Sequence, residues 1–159
     1  MYKFVLDADA TIKLAKAGLL QRLSENAKCM LPTLAYDEVM KGKEKAHADA
    51  IITEALVINS KITVVDIETE QLPKLGKGES GVLELFKQLR CAAVISDDRQ
   101  FISTLELQNI NFMTSTDTIV WLFKSGTLER ANANAALEKI KYTVSGKAYQ
   151  KAKKGLEAD

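Results

Sequence analysis

Short apolar runs alternate with longer stretches of helical period along almost the whole chain. Lys3–Leu6 (KFVL) sets Phe4, Val5 and Leu6 side by side, which predicts a short strand buried on both faces. Ile12, Leu14, Ala15, Leu19 and Leu20 then recur at helical spacing, with Lys13 and Lys16 between them. Lys28–Thr33 (KCMLPT) predicts a second strand, with Pro32 at its end, where a missing N–H is tolerated. Tyr36–Lys45 predicts a helical stretch with Asp37 and Glu38 in its first turn, interrupted at Gly42. Ala46–Ser60 predicts another helix, whose apolar side is Ile51, Ile52, Ala55, Leu56 and Ile58. Ile62–Ile67 is β-branched almost throughout and predicts the third strand.

Glu68–Gly78 is a predicted loop carrying Pro73, Gly76 and Gly78. Glu79–Arg90 predicts a helix with Val82, Leu83, Leu85, Phe86 and Leu89 on one side. Cys91–Ser96 (CAAVIS) reads as a fourth strand, Arg99–Leu107 as a helix and Asn111–Ser115 as a short fifth strand. Thr116 and Asp117 start a helix that runs over Thr118–Lys124 to Gly126, and Leu128–Tyr142 predicts one more. Ser145–Asp159 is lysine-rich and weakly apolar, either a helix packed on the body or on a partner, or a frayed end. Strands alternating with helices predict an α/β fold, a parallel sheet with right-handed crossovers and helices on both faces.

Two of the predicted strands end in acidic pairs, Asp7/Asp9 after the first and Asp97/Asp98 after the fourth. Glu38 follows the second strand, and Glu79 opens the helix before the fourth, after a GKG turn. All strand C-termini of a parallel sheet lie along one rim. If the first and fourth strands are neighbours, the chain reverses direction between them and the acids face one another across a crevice. Crowded carboxylates repel and raise one another's pKa, which divalent cations relieve. An all-oxygen set without His or Cys suits Mg²⁺ or Mn²⁺, ions that activate water and stabilise charge at a phosphate under attack. The alternative is structural: Asp7 or Asp9 caps a helix, and Glu38, Glu79 and Asp117 complement helix dipoles.

Composition narrows this picture. The chain has 159 residues, enough for one domain with a substantial core. Its 47% hydrophobic and 27% charged residues are ordinary for a globular protein. A formal net charge of +1 gives no global field toward nucleic acid and leaves room only for a local basic patch. Cys29 and Cys91 fall in apolar runs without metal-ligand spacing, and read as buried small side chains in a reducing compartment. Acidic residues arrive at Asp7, which argues against a signal region, and no apolar run reaches membrane-span length, so no membrane association and a cytoplasmic location are expected. His47, the single histidine, reads as a surface side chain, with no Ser-His-Asp or Cys-His arrangement around it. Trp121 reads as core or interface packing, and LGKGES lacks the GK[ST] of a nucleotide P-loop.

VLDAD with a following helix, LAYDEV, LGKGESGVLELF and VISDDRQF together resemble the acidic motifs of PIN-domain ribonucleases, over Tyr2 to about Phe123. The resemblance implies a three-layer α/β/α fold with a five-stranded parallel sheet ordered 3-2-1-4-5. One PIN-like domain would then span 1–159, with 128–159 as a C-terminal helical extension. It also implies a Mg²⁺- or Mn²⁺-dependent cut in RNA. Asp7 matches the family's first acid, Glu38 the second and Glu79 the third. The fourth falls in SDDRQF, where register favours Asp98 and Asp97 stays open. The implied catalytic set is Asp7, Glu38, Glu79 and Asp98, and the implied metal set is Asp7, Glu79, Asp97 and Asp98. Asp9 stands where many members have asparagine, and Thr116 where some place a hydroxyl near the metals; both are supporting residues. Many members are toxins paired with an antitoxin protein, and many are dimers. With Trp121, Leu122 and Phe123 beside a lysine-rich tail, this predicts a homodimer that places two acidic clefts in one basic-rimmed groove.

A second enzyme class also fits part of the chain. FVLDADAT matches the DxDx[TV] start of haloacid dehalogenase-like phosphatases, with Asp7 as nucleophile and Asp9 as acid/base, and AVISDD resembles their last acidic motif. Their lysine motif has no counterpart, and Glu38 and Glu79 would have no role. A third possibility is a non-catalytic PIN-like RNA-binding or scaffold protein.

Overall fold

The computed structural model describes residues 1–70, 72 and 74–158, so Pro73 of the predicted loop lies outside the described residues. β1 (Lys3–Leu6), β2 (Lys28–Pro32), β3 (Ile62–Val65), β4 (Ala93–Ile95) and β5 (Phe112–Met113) form one sheet ordered β3-β2-β1-β4-β5. Every neighbouring pair is parallel. β1 is central because both its faces and both its edges are used: Val5 aligns with Met30 on one side and Val94 on the other.

Alternation along the strands divides the core into two layers. Phe4, Leu6, Cys29, Leu31, Ala93 and Ile95 face one way, and Val5, Met30 and Val94 the other. The second layer is closed by α5 (Lys77–Leu89) and α6 (Arg99–Leu107), through Val82, Leu83, Leu85, Phe101 and Leu105. The first is covered by α1 (Ala8–Lys16), α2 (Leu20–Asn26), α3 (Thr33–Met40), α4 (Ala48–Ile58), α7 (Ser115–Lys124), α8 (Arg130–Ile140) and α9 (Gly146–Glu157). The protein is thus a three-layer α/β/α fold with the expected strand order. α9 packs against α7 and α8 and buries Tyr149, Ala152 and Leu156 in the same core. None of the described helices is long and apolar enough to cross a membrane.

Several elements depart from the sequence reading. The first helix stops after Lys16, and Gly18 at φ +76° turns the chain into a separate helix, α2, which buries Leu20 and Leu23. α3 begins at Thr33, directly after Pro32, so Asp37 and Glu38 sit beyond its first turn. Pro32 has φ −61°, which suits the residue that hands a strand to a helix. The buried side of α4 is Asp49, Ala50, Thr53 and Leu56, while Ile51, Ile52, Ala55 and Ile58 are exposed. Of the predicted dimer surface, Leu122 is buried, Trp121 packs edge-on against Tyr2 and Phe4, and Phe123 lies under the Arg130 guanidinium.

Candidate active site

The C-terminal ends of β1, β2 and β4, with the start of α5, surround a cleft of about 110 Å³. Asp7, Asp9, Glu38, Glu79 and Asp98 line it together with small residues, and among the described residues no cationic side chain does. Each acid arrives by a local feature. Asp7 follows β1 and caps α1, its Oδ1 accepting from Ala10 N at 2.8 Å. Asp98 follows β4 and caps α6, its Oδ1 accepting from Phe101 N at 2.8 Å. Glu38 lies on α3, which starts where β2 stops. Glu79 is in the first turn of α5, with Gly76 N 3.4 Å from its Oε2. Gly81, one helical step further, lets α5 approach the β2–α3 junction: a Cβ there would lie 3.3 Å from Pro32 Cβ.

Capping and site membership are therefore compatible. Each cap uses one oxygen of Asp7 or Asp98 and leaves the other for a further partner. For Asp7 that partner is Ser96, whose hydroxyl donates to Asp7 Oδ2 and accepts from Asp98 N at 3.1 Å. Ser96 thus joins the two acidic strand ends, alongside the backbone bond from Asp7 N to Ile95 O at 3.1 Å. The sequence reading had no role for Ser96; its signal was that it is the one hydroxyl in CAAVIS, directly before the acid pair.

Burial governs the electrostatics. Asp7 is 7% exposed, and burial pushes its pKa up to about 7 against the pull of Ser96 and the Ala10 amide, with Asp97 and Asp9 adding repulsion. Glu79 is half-buried and its pKa is also raised, first by burial and then by Asp98, with Glu38 contributing. The acids of the cleft therefore sense one another without a cation between them.

Asp97 and Thr116 are placed elsewhere. Asp97 is not among the residues lining the cleft: its Oδ1 accepts from Ser115 N at 2.8 Å, and its Oδ2 lies 3.6 Å from Lys13 Nζ, an ion pair without a hydrogen bond. Of the two aspartates in SDDRQF, Asp98 is the one that lines the cleft. Thr116 is buried with its Oγ1 3.1 Å from Thr114 Oγ1, and lines a different pocket beside Arg99 and Lys151. Lys13 had been read only as a spacer in an amphipathic helix. Its Nζ is 2.9 Å from Asp9 Oδ2, so it bridges Asp9 and Asp97. Burial alone would lower its pKa, but those two carboxylates hold it above the usual lysine range.

The family follows from the same residues. A family model described as "DUF3368: PIN domain" matches residues 3–157. The chain belongs to the PIN-domain family. PIN domains are typically metal-dependent nuclease folds. The match takes in every acid of the cleft and both C-terminal helices, and it leaves the haloacid dehalogenase-like alternative without support. No curated protein matches the chain. Among solved structures, a PilT N-terminus domain protein from the archaeon Sulfolobus solfataricus P2 is similar, at 14% identity and a TM-score of 0.48, over 80% of this chain and 94% of that one.

The donor chemistry of this PIN domain fits a hard divalent cation. All five donors are carboxylates, two have raised pKa values, and the cleft has room for an ion that keeps some of its water. As the side chains stand, no three Asp, Glu, His or Cys residues among the described ones are gathered tightly enough to hold an ion. Glu38, Asp98 and Asp9 are exposed, with Asp98 held on one oxygen by its cap to Phe101 N and Asp9 by Lys13, whereas Asp7 is buried and fixed by its two hydrogen bonds.

Proposed function

We propose that this PIN-domain protein is an endoribonuclease that hydrolyses RNA phosphodiester bonds with Mg²⁺ or Mn²⁺ held by Asp7, Glu79 and Asp98, with Glu38 completing the acidic set. The observation that carries the reading is the convergence of carboxylates from two strand ends, α3 and the start of α5 on a single cleft, without a lysine or arginine among the described residues of its wall. A bound divalent cation there supplies charge neutralisation and activation of water.

The residues themselves do the rest. Asp7 is the fixed point, because its backbone and Ser96 contacts leave it no rotamer freedom. Glu79, whose pKa burial raises with help from the Asp98 charge, forms the opposite wall together with Asp98. Glu38 closes the side beside α3. Asp9 lies at the edge with its charge balanced by Lys13, so it adds an acid without adding net charge. Water is the nucleophile in this reading, and no phosphoaspartate forms. The reading is tested with a labelled RNA: cleavage with Mg²⁺ that stops in chelator supports it, and cleavage indifferent to chelator refutes it.

The reading includes two partners. A second copy of the chain is supported by the exposed isoleucines of α4. An antitoxin protein, with this chain as the toxin, is supported by family membership alone. A gene for a small DNA-binding protein beside this one favours the toxin role, and its absence counts against it.

A further inference from the structure

Charge is segregated along the strands. The acids gather at their C-terminal ends, and lysines at their N-terminal ends. Lys3 opens β1 and Lys28 opens β2, and the two are register partners. Ile62 pairs with Cys29, so Lys61 continues the row one strand further. Adjacent strands are about 4.8 Å apart, which puts three lysine backbones within roughly 10 Å. They rim a concavity of about 420 Å³ in which Ser24, Ser60 and Thr63 also take part, and no carboxylate of the described residues lines it.

These ammonium groups are not spent on internal pairs. Lys3 Nζ donates to Leu89 O at 3.0 Å, which holds one charge at the rim and leaves two of its donors open. Lys28 and Lys61 are exposed, and among the described residues neither pairs with a carboxylate. Two lysines of the C-terminal helix differ, since Lys151 pairs with Asp117 and Lys153 with Glu138. The whole chain carries a net charge of only +1, so the row is a local concentration and not a general excess.

A polyanion approaching the acidic cleft meets a wall of carboxylates, of which only Asp9 is offset by a lysine, before any cation is bound. We infer that the N-terminal strand rim, through Lys3, Lys28 and Lys61, binds the sugar–phosphate backbone of single-stranded RNA independently of the cleft. The inference rests on the ribonuclease reading for its choice of polyanion. A concavity with the hydroxyls of Ser60 and Thr63 in its wall suits phosphates threaded through it better than a flat bilayer surface. Lysine contacts to phosphates are electrostatic and indifferent to base sequence, so the rim adds affinity and leaves selection of the cut to the cleft.

The test measures fluorescence anisotropy of labelled oligouridine with the full chain in chelator, over a range of salt. Lys28→Gln with Lys61→Gln is expected to weaken binding about tenfold near ~0.1 M salt and to lower the log–log salt slope by about 1.4, two phosphate contacts at ~0.7 each. Glu79→Gln is expected to bind at least as tightly as the unsubstituted protein. An unchanged constant and slope in the double variant overturns the inference. So does the absence of RNA binding at low salt, or a loss confined to phosphatidylserine vesicles. Lysine-dependent binding by a protein that cleaves no RNA with Mg²⁺ keeps the rim and removes the nuclease reading.

Discussion

Asp7 is held by one backbone amide and one hydroxyl at the end of the central strand, and its carboxyl ionises only near pH 7 because it is buried. In the unfolded chain it ionises near 3.8. The native state thus keeps a proton that the unfolded state releases. The stability this gives is fully present below about pH 4 and is lost as pH rises to about 7. Asp7→Asn keeps both the cap and the volume and removes the charge. In metal-free protein it is expected to raise stability by roughly 2–4 kcal/mol at pH 8 and by nothing measurable at pH 4. Urea unfolding at the two pH values checks this, and an equal effect at both contradicts it. Added Mg²⁺ is expected to stabilise the unsubstituted protein and not the variant. The position of Asp7 was legible, because a buried strand running into an aspartate and then a helix leaves few places for it. Ser96 and Lys13 were not, because their roles depend on β4 lying beside β1 and on α1 packing over the β4–α6 turn, and single-sequence periodicity carries neither contact.

At the scale of elements, the alternation of apolar runs and helical periods located all five strands, and strand ends were misjudged by one or two residues. The larger error was the face of α4. Its apolar residues run nearly all round, so periodicity chose the large isoleucines, whereas the packed side is Asp49, Ala50, Thr53 and Leu56. Small side chains let α4 lie close to α1, and Ile51, Ile52, Ala55 and Ile58 are left on the outside. Ile58 is 72% exposed and Ile51 50%, a ridge at helical spacing that suits a second copy of the chain. The protein is therefore expected to be a dimer at micromolar concentration by light scattering, and Ile51→Glu with Ile58→Glu to be a folded monomer. A monomeric unsubstituted protein refutes the dimer, and a dimeric double variant moves the interface off α4.

The molecule as a whole separates its chemistry by rim. Parallel strands place every C-terminus on one edge, so acids far apart in sequence converge without any long-range signal between them. That is why the convergence of these acids on one cleft was legible from order and element alone. The SDDRQF register was harder to read: of two adjacent aspartates at a strand end, Asp98 lines the cleft while Asp97 is engaged by the Ser115 amide and Lys13, contacts that come from other elements. The account's central claim is that Asp7, Glu38, Glu79 and Asp98 act as one hydrolytic set. Glu79 tests it most directly, because a nuclease needs it and an aspartyl phosphatase does not. The measurement is the rate of Mg²⁺-dependent cleavage of labelled RNA by Glu79→Gln, with folding checked by circular dichroism. The account predicts a loss of at least about a hundredfold, since carboxylates acting as a unit fail together, and no trapped phosphoenzyme on Asp7. A folded Glu79→Gln protein that cleaves at the unsubstituted rate contradicts it.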